Sequence, residues 1–281
     1  MGREGFMVKG EAVMPPKVAI HPQGLDFFTT MPCLLPERYG KFGCKVVSRI
    51  HGRTPAIKSE LTLFDSKTGD MAALINCDRI TAMRTGAVAA LAIATLESSN
   101  ARTYAIMGLG VIGHATLDCL LALKKNENIE IKLLRYKDHA ETAIKEYAHY
   151  PNVCFVIADT VEELVADSDV VISCITQADH DLVTDTSLFK PGVLVVPVHT
   201  RGFLNCDWIF DRVIADDEGH VKGFKYYSGF HNFAELGEVL SGKKPGRESD
   251  TERILAYNVG IALHDVLFAT KILNQLEKSE Q

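Results

Sequence analysis

The chain has 281 residues, of which 47% are hydrophobic and 23% are charged, and its formal net charge is −6. A chain of this length and composition can bury a large core and form two globular domains. Because the net charge is negative and no long basic run occurs, the sequence argues against nucleic acid or a membrane surface as the main partner. Small acidic or zwitterionic ligands are compatible with it.

The sequence lacks the usual signals for insertion or export. Its longest apolar run, residues 86–96, is shorter than the ~20 residues that span a bilayer, and the N-terminus has no signal-peptide pattern. Seven scattered cysteines, never spaced as CxxC, predict neither a disulfide framework nor a metal site. We therefore expect a cytoplasmic protein without a bound metal.

Prolines divide the first hundred residues into short apolar segments, such as those at 45–50 and 60–64. Short strands separated in this way predict an antiparallel or mixed sheet. The far end of the chain, from 250 to 276, has apolar residues at helical spacing and needs a surface to cover them. We therefore predict one α+β domain formed by residues 1–100 together with 250–281.

Between these segments, short β-branched apolar runs alternate with helical stretches, which predicts βαβ units and a parallel sheet. Helices are expected at 112–124 and 139–149, where apolar residues recur at helical spacing. Six strands are expected, at 103–107, 130–134, 153–157, 169–174, 193–198 and 212–215. The predicted fold class is α/β, with a doubly wound parallel sheet in residues 101–249.

A glycine-rich turn follows the first of these strands. It has the spacing GxGxxG, and the residues assigned to it are Gly108, Gly110, Val111, Ile112 and Gly113. In such a turn the glycines allow a tight bend, let a pyrophosphate approach the backbone and let the helix pack on the strand. The helix N-terminus adds N–H donors. The strand before the turn and the βαβ series after it predict a Rossmann-type dinucleotide site.

The tip of the second strand indicates which dinucleotide binds. An NAD-specific site places Asp or Glu there to accept a hydrogen bond from the ribose 2′-hydroxyl. Here the position holds Arg135, which can pair with a 2′-phosphate, although Asp138 lies close in sequence. The sequence therefore favours NADP(H), with NAD(H) as the alternative. A solvated cation at a strand end is the plainer interpretation of Arg135.

A second anion-binding pattern precedes the glycine-rich turn. Residues 81–87 read TAMRTGA and place Arg84 near two hydroxyls, Thr81 and Thr85, at the head of an apolar helix of small residues. A guanidinium can hold a carboxylate through two parallel hydrogen bonds. Arg84 is therefore predicted to bind an anionic ligand.

Together with the later glycine-rich turn, the 81–87 segment resembles the ornithine cyclodeaminase/mu-crystallin family. Further segments resemble the family in the same order along the chain: Met31–Pro32, Gly43–Val47, Leu63–Gly69, Glu235–Val239, Gly242–Arg247 and Asn258–Asp265. The resemblance implies a homodimer of two-domain subunits, in which the discontinuous domain binds the substrate and forms the dimer contact.

The resemblance also implies roles for single residues. Lys17, Lys45 and Arg84 match the cations with which the family holds a substrate carboxylate. Contacts with the cofactor are assigned to Thr85, Thr176, Asn258 and Gly260, of which the last two would lie near the nicotinamide. Plainer interpretations stay open for these positions: solvated strand lysines, a helix cap and helix packing.

The chain departs from the family in two places. Ornithine-cyclising members carry Gly-x-Asp after the fifth strand, and that Asp handles the reacting amine, whereas this chain reads VPVHTRGF at 196–203. His199 can replace the Asp as a proton donor to an imine, or it can be a structural hydrogen-bonding residue. The family's opening helix is expected to be absent or replaced by a short leader, which bears on the dimer.

The leading functional interpretation is an NAD(P)H-dependent oxidoreductase acting on a small α-amino or α-imino acid, either an amino-acid dehydrogenase or a cyclic-imine (ketimine) reductase. The three cations would hold the carboxylate, and Lys45 or His199 would supply the proton. One alternative is ornithine cyclodeaminase, which converts ornithine into proline and ammonia with NAD+. The absence of the Asp and the presence of Arg135 disfavour it. The other is a mu-crystallin-like nucleotide-dependent binding protein, which the retained cations disfavour.

Overall fold

The computed structural model describes residues 2–24, 26–176, 178 and 180–279. A seven-residue helix, α1 (Gly2–Val8), lies where the family's opening helix was expected to be absent or replaced by a short leader. In the described part of the next segment there are five strands, followed by a long helix: β1 (Val18–Ile20), β2 (Phe27–Leu34), β3 (Lys41–Arg49), β4 (Ile57–Asp65), β5 (Met71–Asn76) and α2 (Asp78–Leu96).

Strands and helices then alternate up to the last helix. Among the described residues these are β6 (Thr103–Met107), α3 (Val111–Leu123), β7 (Ile129–Leu134), α4 (His139–Tyr147), β8 (Val153–Ala158), α5 (Val161–Val165), β9 (Val170–Ser173), β10 (Leu194–Pro197), β11 (Arg212–Ala215), α6 (Glu218–Val221), β12 (Ala234–Glu235), α7 (Leu236–Leu240), β13 (Ile254–Tyr257) and α8 (Ala262–Ser279).

Strands β1 to β5 form an antiparallel sheet in sequential order. Its two faces differ because alternate residues of each strand point to opposite sides. The inner face is buried, for example at Met31, Leu61 and Leu63, and helix α8 packs against it. Helix α1 packs in turn on α8, where the rings of Phe6 and His264 meet edge to face at 4.7 Å.

The remaining strands form a parallel sheet in the order β12-β11-β13-β10-β9-β6-β7-β8. Its central strands β9, β10, β11 and β13 are buried at every position. Such continuous apolar runs are typical of parallel strands that are covered on both faces. All six predicted strands occur in this sheet, so the predicted α/β class is confirmed.

Two strands of the parallel sheet were missed in the sequence. The apolar run Ile254–Tyr257 was assigned to the C-terminal helical stretch, which was wrong: it forms β13, paired with β10 on one side and β11 on the other. Four apolar residues fit a buried strand and a buried helix turn equally well, and only the neighbouring strands decide between them. The other missed strand, β12, has two residues and pairs with β11.

The contacts within the chain divide it into two compact units. One contains the part up to Arg84 together with the part from Gly260 onward, and the other runs from Thr85 to Val259. The predicted boundaries at 100 and 250 stay predictions. Residues 1, 25, 280 and 281 of the predicted discontinuous domain, and 177 and 179 of the predicted dinucleotide domain, lie outside the described residues.

Helix α2 is longer than the apolar run seen in the sequence. Among the described residues it is the one helix that is long and apolar enough to cross a membrane, and 67% of the relevant stretch is buried inside the protein. Such burial is typical of a helix in a protein core.

Candidate active site

Three buried charged side chains meet in the discontinuous unit. Asp265, in the first turn of α8, accepts a hydrogen bond from Lys45 Nζ at 2.7 Å through Oδ2. Its other oxygen, Oδ1, accepts one from Arg84 Nε at 2.8 Å. Lys45 and Asp265 are 0% exposed and Arg84 is 4% exposed. We call this arrangement of Lys45, Arg84 and Asp265 the charged triad.

Each member of the triad is placed by its own element. Lys45 lies on the inner face of β3, where it pairs with Met31 on one side and Leu61 on the other. Arg84 lies in the second turn of α2. An acidic side chain in the first turn of α8 is favoured there by the helix dipole. Strand, helix and C-terminal helix thus bring two cations to one carboxylate.

The triad carries an excess of positive charge. Two cations face one carboxylate, and a buried charge is stable only when it is paired and hydrogen-bonded. Burial and the neighbouring guanidinium of Arg84 lower the pKa of Lys45 to about 8. The same two cations hold the pKa of Asp265 below its usual range despite its burial. The triad is therefore suited to bind one further anion, such as a carboxylate.

Lys17, the third predicted cation, lies directly before β1 and is partly exposed. Val18 pairs with Thr30 of β2, so extending the register by one residue places Lys17 opposite Met31, the partner of Lys45. Residues directly opposite each other in an antiparallel pair share one face of the sheet. Lys17 and Lys45 therefore occupy the same row, with Met31 between them.

Gly260 borders Arg84. Its φ is +93°, and a Cβ at this position would lie 1.8 Å from Arg84 Nη1. No side chain larger than that of glycine fits beside the guanidinium in this conformation. Gly260 thus makes room for the arginine of the triad, and its place near the nicotinamide stays a prediction.

The glycine-rich turn has the geometry of a phosphate-binding site. Gly108 has φ +88°, and a Cβ there would lie 2.6 Å from the backbone carbon of Cys174. A Cβ on Gly113 would lie 2.1 Å from the carbonyl oxygen of Gly108. Gly110 faces open space at the start of α3, and the next residue, Val111, is exposed. The turn thus leaves the N-terminus of a 13-residue helix open to a pyrophosphate.

Other predicted cofactor residues lie in the same unit as the turn. Thr85 follows Arg84 in α2 and is buried. Asn258 is buried at the end of β13, where its amide nitrogen donates to the Ala256 carbonyl at 2.9 Å. Thr176 is exposed after β9, and Ile112 is half-buried in the first turn of α3. Their contacts with a cofactor stay predictions.

Arg135 follows β7, as expected, but it is engaged by carboxylates. Its Nε donates to Asp159 and its Nη1 donates to Glu141, and the side chain remains partly exposed. A 2′-phosphate at this position would have to share or replace these partners. The nearby Asp138 precedes α4 without capping it through its side chain.

His199 is held between two hydrogen bonds. The backbone N–H of Arg201 lies 3.4 Å from Nδ1, so Nδ1 is the acceptor and Nε2 carries the proton that bonds Ser173 Oγ at 2.6 Å. Burial lowers the pKa of His199 to about 4. At neutral pH the ring is therefore uncharged, which is the state expected of a structural hydrogen-bonding residue.

Sequence reasoning missed Asp265 as a site residue. The signal was present: the segment GIALHDVLFA at 260–269 is apolar except for His264 and Asp265. An acidic residue in the apolar face of a helix requires a cationic partner, because an unpaired buried charge is costly. Nothing in the sequence shows that this partner is Lys45, which lies 220 positions earlier.

The parallel sheet with its open glycine-rich turn defines an α/β protein of the dinucleotide-binding class, and the discontinuous unit contains the buried charged triad. Comparison with known sequences and structures identifies the family of the chain. The chain belongs to the ornithine cyclodeaminase/mu-crystallin family, whose profile matches residues 4–280. The predicted family is thereby confirmed.

Curated relatives are similar along most of their length. The nodulation efficiency protein NfeD of Rhizobium meliloti is 26% identical over 94% of this chain and 84% of its own. A Δ1-pyrroline-2-carboxylate reductase of Bacillus cereus is 26% identical, over 92% and 79%. The ketimine reductase mu-crystallin of Mus musculus is 26% identical, over 76% and 68%.

Solved structures share the fold. The Δ1-pyrroline-2-carboxylate reductase of Thermococcus litoralis, in complex with NADH and L-proline, superposes with a TM-score of 0.87 at 22% identity, covering 99% of this chain and 92% of that one. An archaeal alanine dehydrogenase dimer with bound NAD gives 0.85 at 21% identity, covering 100% and 91%. The reductases among the curated relatives agree with the predicted class of function, an oxidoreductase that uses a nicotinamide cofactor on imine or amine groups.

Proposed function

We propose that this protein reduces the C=N bond of a small α-imino acid to the corresponding α-amino acid with a reduced nicotinamide nucleotide, and catalyses the reverse oxidation. The observation that carries the proposal is the charged triad, whose two cations and one carboxylate leave one positive charge for a substrate carboxylate. The open glycine-rich turn supplies the matching nucleotide site. Relatives named as pyrroline-carboxylate and ketimine reductases support the choice of substrate.

When bound, the nucleotide would supply the hydride that reduces the imine carbon. Gly108, Gly110 and Gly113 would hold its pyrophosphate at the start of α3. Arg84 and Lys45 would hold the substrate carboxylate, with Asp265 fixing both cations so that little freedom is lost on binding. Lys45 would also give a proton to the imine nitrogen.

Lys45 suits the role of proton donor better than His199 does. Its pKa of about 8 keeps most of the ammonium charged at neutral pH while leaving it close enough to release a proton. His199 is uncharged at the same pH and has both ring nitrogens engaged. We therefore assign proton transfer to Lys45 and a structural role to His199.

The test is an assay of the purified protein with NADPH and NADH in parallel. Cyclic imino acids, and keto acids with ammonium, are offered as substrates, and ornithine with NAD+ is assayed for proline. We expect consumption of reduced nucleotide with an imino or keto acid. Proline and ammonia without net nucleotide change would establish the cyclodeaminase instead, and nucleotide binding without turnover would establish a binding protein.

A pair of variants links the activity to the triad. Arg84→Ala is expected to abolish turnover while nucleotide affinity, measured by calorimetry, stays near that of the wild type. Arg102→Ala removes an exposed arginine and serves as the control. Loss of nucleotide affinity in Arg84→Ala would place Arg84 at the cofactor phosphates and contradict its assignment to the substrate.

We further propose that the protein prefers NADP(H), with Arg135 binding the 2′-phosphate. Because Glu141 occupies the guanidinium, Glu141→Gln should raise the affinity for NADPH and leave that for NADH unchanged. Arg135→Asp should shift the preference towards NADH. An unchanged ratio of the two affinities in both variants would remove Arg135 from the site.

We also propose that two copies of the chain associate through the outer face of the antiparallel sheet. That face exposes Val18, Ile20, Phe28, Val46 and Leu74, which the register places on one side of the sheet. A contiguous exposed apolar surface marks an interaction site. Light scattering should show a dimer that Phe28→Glu with Val46→Glu converts to a folded monomer, whereas Leu123→Glu on α3 should not. A monomeric wild type would contradict this.

A further inference from the structure

The ammonium of Lys45 is buried. Its side chain is 0% exposed, and Asp265 and Thr81 are its hydrogen-bond partners among the contacts resolved in the described residues. A donor that loses its proton in every turnover must regain one before the next. While substrate or product covers the ammonium, a path from water through the protein would return that proton.

A chain of hydroxyl groups leads away from Lys45. Its Nζ lies 3.5 Å from Thr81 Oγ1, which lies 3.0 Å from Ser59 Oγ. Ser59 Oγ donates to Asp78 Oδ1 at 3.2 Å. Thr81 and Ser59 are buried, whereas Asp78 is partly exposed. The chain thus connects the buried ammonium to a carboxylate that water can reach.

The backbone fixes every group of the chain. Ser59 lies on the inner face of β4, two residues from the Leu61 that pairs with Lys45. Thr81 and Asp78 lie three residues apart in the first turn of α2, on neighbouring positions of one helix face. The backbone N–H of Ser59 also donates to Asp78 Oδ1 at 2.6 Å, which anchors the carboxylate beside the hydroxyl.

Asp265 does not offer a second path. Its carboxylate is 0% exposed and is bound by both cations. The same cations lower its pKa, so it stays ionised and has no proton to give. Thr81 Oγ1 also donates to Cys77 Sγ at 3.9 Å, and a thiol sulfur is a weak acceptor.

We propose that Thr81 and Ser59 relay a proton between Lys45 and Asp78 in each catalytic cycle. The inference rests on the proposed function. In imine reduction Lys45 gives one proton to the imine nitrogen and becomes a neutral amine. Thr81 then donates its proton to Lys45 and takes one from Ser59, and Ser59 takes one that the Asp78 carboxylate receives from water and passes on. In amine oxidation every transfer runs in the opposite direction.

Three variants break the relay at different points. Ser59→Ala and Thr81→Val each remove one hydroxyl, and Asp78→Asn keeps an acceptor for Ser59 but cannot carry the proton. We expect each variant to lower kcat about tenfold or more. Positioned proton transfer typically supplies about 10²-fold or more, and these variants slow only the return of the proton to Lys45. KM and nucleotide affinity should stay near the wild-type values, because none of the three groups is assigned to hold substrate or nucleotide.

Two readouts separate a relay from a structural role. The solvent deuterium isotope effect on kcat should rise in Ser59→Ala and Thr81→Val, and small amines added to the assay should restore part of the rate. Thr81→Ser, which keeps the hydroxyl, should recover most of the wild-type kcat. Thr95→Val serves as the matched control, because it removes a hydroxyl of the same helix whose partner in the described part of the chain is the Leu91 carbonyl. If Ser59→Ala and Thr81→Val both had the wild-type kcat and the wild-type isotope effect, the proposal would be overturned.

A measurement without turnover separates failure of the relay from failure of the proposed function. Hydrogen exchange at the Lys45 ammonium, followed by NMR on 15N-lysine protein with Lys45→Arg to assign the signal, should slow in Ser59→Ala and Thr81→Val. Equal exchange in these variants and the wild type would contradict the relay whether or not the enzyme reduces imines. Slower exchange with no imine reduction by the wild type would retain the proton path and reject the reaction.

Discussion

Lys45 shows how burial adapts an ordinary side chain to chemistry. In water its ammonium would hold its proton too firmly to act near neutral pH. Inside the sheet it loses hydration, and the guanidinium of Arg84 repels its charge, while Asp265 opposes both effects. The balance leaves a pKa of about 8, close to the pH at which an acid that must give and regain protons is most effective.

The pH dependence of turnover follows from this pKa. Reduction uses the charged ammonium, so kcat/KM for the imino acid should be constant well below pH 8 and fall as the pH rises through that value. Oxidation needs the neutral amine, so its kcat/KM should rise up to about pH 8 and then level off. Parallel pH profiles in both directions test this. A change in kcat/KM near the usual pKa of lysine, in either profile, would contradict the lowered pKa of Lys45.

Gly260 allows a second prediction at the scale of one residue. Gly260→Ala adds a methyl group that overlaps Arg84 Nη1 and also strains a backbone with positive φ. Gly69 has φ +79° with no atom within 4 Å of its added Cβ, so Gly69→Ala reports the strain alone. We expect Gly260→Ala to raise KM for the substrate and to cost about 1–3 kcal/mol more unfolding free energy than Gly69→Ala, as measured in urea. Equal effects of the two variants would show that the guanidinium moves aside freely.

At the scale of elements, the contact between α8 and β3 closes the inner face of the antiparallel sheet. A Cβ on Gly43 would lie 2.8 Å from both methyl carbons of Val266. The glycine thus lets the helix approach the strand closely enough for Asp265 to reach Lys45. Close approach of backbone to side chain is a common reason for glycine inside a strand.

Gly43→Ala should therefore be destabilising by about 1–3 kcal/mol, the usual cost of overpacking a core. Val266→Ala alone leaves a cavity and should also destabilise, but the double variant should be more stable than the sum of the two losses predicts. Urea unfolding of the four proteins in this cycle gives the coupling energy. A coupling near zero would mean that the helix shifts without contact between these two side chains.

Elements differ in how far the sequence predicts them. The six strands at 103–215 were predictable because parallel strands are short β-branched runs between helices, and the glycine-rich turn was predictable from its spacing. Strand β13 was not, since Ile254–Tyr257 carries no periodicity and its place between β10 and β11 depends on chain segments far away. Arg84 could be proposed from its local motif and Lys45 from the family resemblance, but the side chain that joins them, Asp265, could not.

At the scale of the whole molecule, stability depends on a second buried carboxyl. Asp207 is 0% exposed; Oδ1 accepts a hydrogen bond from Tyr257 Oη at 2.7 Å, and Oδ2 has no hydrogen-bond partner among the described residues. Burial raises the pKa of Asp207 to about 7. The folded protein therefore keeps this carboxyl protonated in a range where the unfolded chain ionises it.

The sign of the effect follows from linkage. Between about pH 4 and pH 7 the folded state binds one more proton at Asp207 than the unfolded state, so the free energy of unfolding falls as the pH rises, by about 1.4 kcal/mol per pH unit for that group. Urea unfolding across this range should show a less negative slope in Asp207→Asn than in the wild type. Identical slopes in the two proteins would contradict the raised pKa.

The distance in sequence between Lys45 and Asp265 has a consequence for biosynthesis. Strands β1 to β5 and the start of α2 are translated long before α8. Until α8 is made, Lys45 and Arg84 lack the carboxylate of Asp265 that neutralises them. Chains commonly begin to fold from the N-terminal end as they are made, but this sheet cannot close its inner face in that way. Its final packing has to follow the translation of α8, and a nascent chain halted before Ala262 would expose the apolar inner face of the sheet, with Lys45 on it, to proteases and chaperones.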